Sequence, residues 1–425
     1  MLKYHALLLC AATLASAEVH RLTLRQAVEL ALQQNSDVVL ARLDEQKAQN
    51  AVRIARDPFV PKLYGGSGLA FTSGYPNSIE GSAPSIFEAR TSMSLFNRPK
   101  SYELAQAREN ARGAAIGSQS KADDVAFQTA GLFLDAQQLT RSEQSLQIEI
   151  DALDRVSELI KLRIGEGREI PLEGKRSDLN LARARQRFQA LEADLEYAQA
   201  SLAVVLGYPV SDRVEPMEDQ RTPPEMPDTP EAAVATALQN NKDVRRLESQ
   251  LQAKGLEIRG YNSYRLPQLD LVAQYALFSK QNYSKYFNKF QRNNGQLGVS
   301  IQVPLLVGSA PKGYLAQAEN DAAKLRTQIN STRNRIALET QKSYQELKKA
   351  ESASEVARLD LDVAREQVSV LLAQLGEGRV PQQAVDQARL AEQEKWIAFY
   401  GAQHAVERAR LDLLHQTGTI IAALK

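Results

Sequence analysis

The sequence predicts a mainly α protein with a small β part, in which one long helical hairpin and one strand pair occur twice. Three observations predict it: an internal repeat, two proline-free stretches of about sixty residues, and four short segments of alternating polarity. Composition agrees. Charged residues make up 24% and aromatics only 6% of the 425 residues, and Ala, Leu, Glu, Gln and Arg fill long stretches, as in long helices and coiled coils. The formal net charge of +1 gives no reason to expect nucleic acid as a partner.

The repeat organises everything else. The segment from Ala27 to Val38 recurs from Ala233 to Val244, and Pro61-Lys62-Leu63 recurs as Pro267-Gln268-Leu269. Leu104-Ala105-Gln106-Ala107 matches Leu315-Ala316-Gln317-Ala318, and Gly165-Glu166-Gly167-Arg168 matches Gly376-Glu377-Gly378-Arg379. Four matches in the same order define a first repeat over 18–207 and a second over 231–425. Each runs through a short helix, a helix of about twenty residues stopped by proline (Pro58 and Pro61; Pro267), a strand pair, and a hairpin reversed at Gly-x-Gly. The linker over 208–230 holds Pro209, Pro216, Pro223, Pro224, Pro227 and Pro230, so it is expected to be neither continuous helix nor central strand.

The strand pairs are expected at about 63–71 with 88–96, and at about 269–278 with 296–304. Leu297, Val299, Ile301 and Val303 alternate with Gln296, Gly298, Ser300 and Gln302. Ala89, Thr91, Met93 and Leu95 alternate with Glu88, Arg90, Ser92 and Ser94. Leu63–Phe71 is weaker, diluted by Gly65, Gly66 and Gly68. Such segments suit either a soluble sheet with one wet face or membrane strands. Aromatic placement favours the second. Sixteen of the 26 Phe, Tyr and Trp fall within residues 58–102 and 261–314, as interfacial girdles would place them. The polar loops 72–87 and 279–294 would then face the exterior. Four strands cannot close a barrel and open edges are not tolerated in lipid, so several chains must pool them. Three copies would give twelve strands; two would give eight, a number that usually leaves a filled interior.

The hairpins are expected over about 100–206 and 312–415. At about 1.5 Å per residue, each sixty-residue arm is a rod of roughly 90–100 Å, too long for a compact core. Small residues mark close seams, among them Ala105, Ala111, Ala126 and Ala130, and Leu146, Ile150, Leu153, Ser157 and Ile160 keep coiled-coil spacing.

Residues 1–17 read as a secretory signal: Lys3, an apolar core over 6–14, and the small-x-small site Ala15-Ser16-Ala17. Cys10 follows Leu9, where a lipidation signal places a small residue, so no lipid anchor is expected. Cys10 is the only cysteine, which leaves a processed chain without disulfides, thiolate metal sites or cysteine nucleophiles. His404 and His415 share a helix face about 16 Å apart and cannot ligate one metal. Gly255-Leu256-Glu257-Ile258-Arg259-Gly260 lacks the context of a phosphate loop. Neither an enzyme nor a cofactor is expected. No segment is long and apolar enough for a membrane helix, so a membrane would be crossed by strands.

Leu24-x-x-Ala27-Val28-x-x-Ala31-Leu32-x-x-Asn35 resembles the opening motif of TolC-like outer-membrane efflux proteins. Arg56-x-x-x-x-Pro61-x-Leu63 resembles their entry into the first strand, and Val303-Pro304-Leu305-Leu306, leading to Leu315-Ala316-Gln317-Ala318, resembles their last strand and following helix. The resemblance covers nearly the whole chain after the signal. It implies a homotrimer with a 12-stranded transmembrane β-barrel in the outer membrane, an α-barrel of hairpins across the periplasm, and an equatorial girdle from the linker and short helices. It also implies a passive conduit in a tripartite efflux or type I secretion system, with a periplasmic adaptor protein and an inner-membrane transporter as partners. The chain departs from the family where a glycine pair often follows the second and fourth strands. Asn97-Arg98-Pro99 and Val307-Gly308-Ser309-Ala310-Pro311 stand there, so proline is expected to stiffen those corners. The resemblance places Gly165, Glu166, Gly167, Arg168 and Glu169, with Gly376, Glu377, Gly378 and Arg379, at the periplasmic tips against the adaptor. It places Asp178 and Asp386 at the entrance, where a ring of carboxylates would bind cations and repel anions. A periplasmic adaptor or a coiled-coil scaffold is the alternative. An adaptor would need one hairpin flanked by small β-domains, whereas here two hairpins each follow a strand pair.

Overall fold

A computed structural model describes residues 18–68, 85–218, 226–278 and 291–424. The expected signal over 1–17, most of the two expected exterior loops and part of the linker lie outside the described residues.

The two halves build the same succession of main helices at nearly the same lengths. Helices α1 (Leu24–Gln34) and α5 (Pro230–Asn240) have 11 residues each, and α2 (Ser36–Arg56) and α6 (Lys242–Asn262) have 21 each. The long arms α3 (Arg98–Gly165) and α7 (Ala310–Gly376) have 68 and 67 residues. The return arms α4 (Pro171–Val205) and α8 (Gln382–Gln416) have 35 each. A short α9 (Ile420–Leu424) follows. The strands are β1 (Val19–Leu22), β2 (Lys62–Gly68), β3 (Ser85–Phe96), β4 (Arg213–Pro216), β5 (Gln268–Phe278) and β6 (Asn293–Gln302).

Local chemistry fixes the boundaries. Thr23 caps α1 in a reciprocal box with Gln26, and Thr229 caps α5 with Pro230 in its first turn. Pro58 ends α2 in a 3₁₀ turn. At the strand-to-helix corners the side chain of Asn97 accepts the Lys100 N–H at 3.1 Å, with Pro99 in the first turn of α3; Pro311 takes the same place in α7. Side-chain capping and proline thus stand where a flexible glycine pair was the alternative.

Two differences from the sequence reading stand out. The linker contributes a strand after all: β4 pairs in parallel with β1, Val19 opposite Arg213 through Leu22 opposite Pro216. Pro216 is tolerated because it sits at the end of a two-stranded edge. The strand ends also shift. β3 begins at Ser85 rather than 88, and β6 ends at Gln302, before Pro304, which cannot donate to a ladder.

The chain divides into two compact units. One holds residues up to Leu40, Gln119–Lys242 and Arg333 onward; the other holds Ala41–Ser118 and Asp243–Thr332. In the first, Leu24, Val28 and Val38 pack with Val125, Ala130 and Phe133 of α3 and with Leu202, Leu206 and Val214. The coiled-coil residues Leu146, Ile150 and Leu153 pack on Leu181 and Ala184 of the return arm. Each return arm ends in a Schellman motif. Gly207 (φ 88°) and Gly418 (φ 68°) take left-handed geometry, and a Cβ at either would lie 3.4 Å from the backbone oxygen of Gln34 or Asn240. In the second unit, β2, β3, β5 and β6 form one antiparallel sheet in that order. Ser249 of α6 donates to the Glu109 carbonyl at 2.7 Å, beside Gly113.

Phe133 is fully buried at the centre of the first core. Phe133→Ala is expected to destabilise that unit by about 3–5 kcal/mol, read as a lowered thermal midpoint by circular dichroism.

Candidate functional site: a two-faced sheet and two hairpin tips

The register of the sheet brings four separate alternations into phase. Leu63 lies opposite Thr91, Thr91 opposite Ala273, and Ala273 opposite Leu297. The next row on the same face is Met93, Leu271 and Val299. Opposed residues share a face, so one side of the sheet is apolar across all four strands. Leu63 and Leu297 are each 79% exposed and Ile301 65%, so among the described residues nothing covers these positions. The other side carries Glu88, Arg90, Ser92 and Ser94 on β3 beside Asp270 and Gln274 on β5, with Val272 and Ala276 as apolar exceptions. Its polar groups join across strands. Ser94 donates to Asp270 at 2.5 Å, Gln274 to Glu88 at 2.8 Å, and Asn97 to Gln268 at 3.2 Å. β2 and β6 lie at the two edges, each paired on one side only among the described residues. Tyr261 stacks on Tyr264 and on Tyr314, with ring centroids 5.9 and 5.8 Å apart, at the base of this sheet. Of the other aromatics of the expected girdles, Tyr64, Phe87, Phe96 and Tyr275 are exposed on the strands, and Phe71, Tyr75, Tyr283, Tyr286, Phe287 and Phe290 fall outside the described residues.

The hairpin tips are near copies of one another. Gly167 (φ 70°) and Gly378 (φ 72°) stop α3 and α7 in Schellman motifs. The Arg168 N–H donates to the Arg163 carbonyl at 2.8 Å, and the Arg379 N–H to the Gln374 carbonyl at 2.9 Å. Gly165 and Gly376 are the last helical residues. Each turn carries one ion pair, Arg168 with Glu166 at 3.1 Å and Arg379 with Glu377 at 3.0 Å, both exposed. Glu169 accepts the neighbouring Ile170 N–H at 3.4 Å.

The two aspartates differ. Asp178 accepts Lys161 Nζ at 3.0 Å and Ser157 Oγ at 2.9 Å, which ties α4 to α3 inside the first hairpin. Asp386 accepts Gln382 Nε2 at 3.0 Å and lines a cavity of about 580 Å³ with Arg155 of α3 and Arg389 of α8. The tip glycines 167 and 378 are 211 residues apart, as are 207 and 418. In that register Asp178 corresponds to Arg389 and Asp386 to Lys175, so the two acids are not equivalent. Sequence reading passed over Arg155, Lys161, Lys175 and Arg389. The signal was there, as their distances from the paired glycines. The histidines are held apart: His404 meets Asp135 at 2.8 Å and His415 meets Asp124 at 3.0 Å. Among the described residues no group of three or more His, Cys, Asp or Glu could hold a metal ion.

Hydrogen bonds from Lys161 and then Ser157 hold the Asp178 carboxyl below the usual carboxylate range. A lowered folded-state value means that this tie stabilises the hairpin above the unfolded value, about 3.9, and is lost as pH falls through the folded one. Asp178→Asn is therefore expected to melt below the natural protein at neutral pH and to converge with it under strong acid. Paired thermal melts across pH check this.

Residues 233–419, most of the second half, match the family described as outer membrane efflux protein. A curated relative, the outer membrane efflux protein BepC of Brucella suis biovar 1 (strain 1330), is 20% identical over 301 residues. That match covers 70% of this chain and 63% of BepC, less than two thirds of that relative's length. Among solved structures, CusC is similar at a TM-score of 0.75 and 14% identity, over 93% of this chain and 92% of that one. The CmeC outer membrane channel of Campylobacter jejuni is similar at 0.74 and 13%, over 93% and 85%. The outer membrane protein VceC of Vibrio cholerae is similar at 0.73 and 15%, over 93% and 96%. The fold is that of these proteins along nearly its whole length, and proteins of this kind are efflux channels rather than enzymes. The second half of the chain thus matches the outer membrane efflux protein family, and nearly the whole chain shares the fold of these solved structures.

Proposed function

We propose that three copies of this chain form a passive conduit in the outer membrane. Their sheets join edge to edge into a 12-stranded barrel, and their hairpins form an α-barrel that extends into the periplasm. The observation that carries this is the sheet: one continuous apolar side, one hydrogen-bonded polar side and two edges that are paired on one side only among the described residues. In lipid the apolar side faces the acyl chains, the polar side lines the passage, and β6 of one copy pairs with β2 of the next so that no backbone group is left unpaired. Among the described residues no helix is long and apolar enough to cross a membrane.

The same reading makes residues 1–17 a leader removed on export and places the linker and the short helices at the equator. The tip residues 165–169 and 376–379 meet a periplasmic adaptor protein, which couples the conduit to an inner-membrane transporter. Three Asp386 carboxylates ring the entrance and favour cations. Opening is mechanical: a partner that binds open tips better shifts the population toward them.

Purified protein is expected to run as a heat-modifiable trimer from outer-membrane fractions and to give discrete conductance steps in planar bilayers. Recovery as a water-soluble monomer without pore activity would end this reading. Asp386→Ala is expected to raise single-channel conductance and weaken cation preference; unchanged values would remove Asp386 from the entrance.

A further inference from the structure

The two hairpins carry opposite charges at corresponding places. The register of 211 residues fixed by the paired glycines holds for side-chain contacts as well. Arg185 donates to Asp154 at 3.1 Å in the first hairpin. Their counterparts Trp396 and Arg365 meet in a cation–π contact, 5.8 Å from guanidinium to ring. In this register Arg155 of α3 corresponds to Glu366 of α7, and Asp386 of α8 to Lys175 of α4.

Within one chain, and together with Arg389 and Glu392 of α8, Arg155 of α3 and Asp386 of α8 line the same cavity. Their counterparts Glu366 and Lys175 are exposed, and neither has an ion partner in the chain among the described residues. The apolar neighbours follow the same rule. Ile148 and Ala152 line the α3 side of the cavity and Leu390 the α8 side. Their counterparts Leu359 and Val363 on α7 are 50% and 66% exposed, and Leu179 on α4 is 49% exposed. An apolar stripe with a charge at its centre is thus partnered once inside the chain and left open once on each of α7 and α4.

We propose that α7 of one copy packs against α4 of the next copy as α3 packs against α8 within a chain, with Glu366 facing Lys175 of the next copy. This rests on the assembly proposed above and adds the residues and the polarity of its seam. The polarity is reversed: cation on α3 and anion on α8 inside a chain, anion on α7 and cation on α4 between chains. A first hairpin set against another first hairpin would oppose Arg155 and Lys175, and a second against a second would oppose Glu366 and Asp386. Exposed ion pairs add little affinity, but like charges at a seam penalise the wrong neighbour. The apolar stripes supply the adhesion, and the reversed charges select alternation of the two hairpins around the tube.

The test uses the full chain in detergent, with assembly measured by light scattering and neighbours by cysteine pairing; Cys10 is the only native cysteine. The double variant Lys175→Cys/Glu366→Cys is expected to give covalent dimers and trimers on air oxidation, several-fold above either single variant. Trimers by light scattering without that covalent ladder would overturn the seam and leave the conduit standing. A monomer by light scattering would remove the conduit and the seam together. Glu366→Lys is expected to lower trimer yield several-fold, and Lys175→Glu/Glu366→Lys to restore it. Failure of the double exchange to restore assembly would overturn the charge selection.

Discussion

In the proposed assembly the sheet lies in lipid, where every backbone N–H and C=O has to be paired, and the rest of that assembly depends on this requirement. Among the described residues β2 and β6 are each paired on one side only, as strands at the ends of a fragment of the proposed barrel would be. In that proposed assembly the fragment sets the copy number, and the copy number sets how many hairpins surround the axis. The polar side is bonded across strands, Ser94 to Asp270 and Gln274 to Glu88. Its side chains are therefore held in place, while on the opposite side Leu63, Leu297 and Ile301 are exposed.

Duplication would let the proposed tube be built from few designs. The two halves keep nearly the same helix lengths and place left-handed glycines at the same tips and return-arm ends, Gly167 with Gly378 and Gly207 with Gly418. Surface charges were free to diverge. Asp154 with Arg185 became Arg365 with Trp396, which preserves a contact while its chemistry changes. Asp178, tied to Lys161 and Ser157, corresponds to Arg389, which lines a cavity beside Asp386. The halves are alike in backbone and unlike in charge, as the proposed alternation of the two hairpins requires.

The sequence by itself determined the order, type and approximate length of nearly every element. Those are fixed by signals within a few residues: proline stops, glycine reversals, and periods of two or about 3.6. It also determined the two tips, because Gly167 and Gly378 need only their own turn to adopt positive φ. Only the tertiary structure decided the β1–β4 pair, in which Val19 meets Arg213 across the whole first half, and the burial of Val214 in the core. It also decided the common phase of the four strands and the different surroundings of Asp178 and Asp386. Such partners lie far apart along the chain, and no local period specifies them. Packing of the long arms selects them, since only there do distant residues compete for the same neighbour.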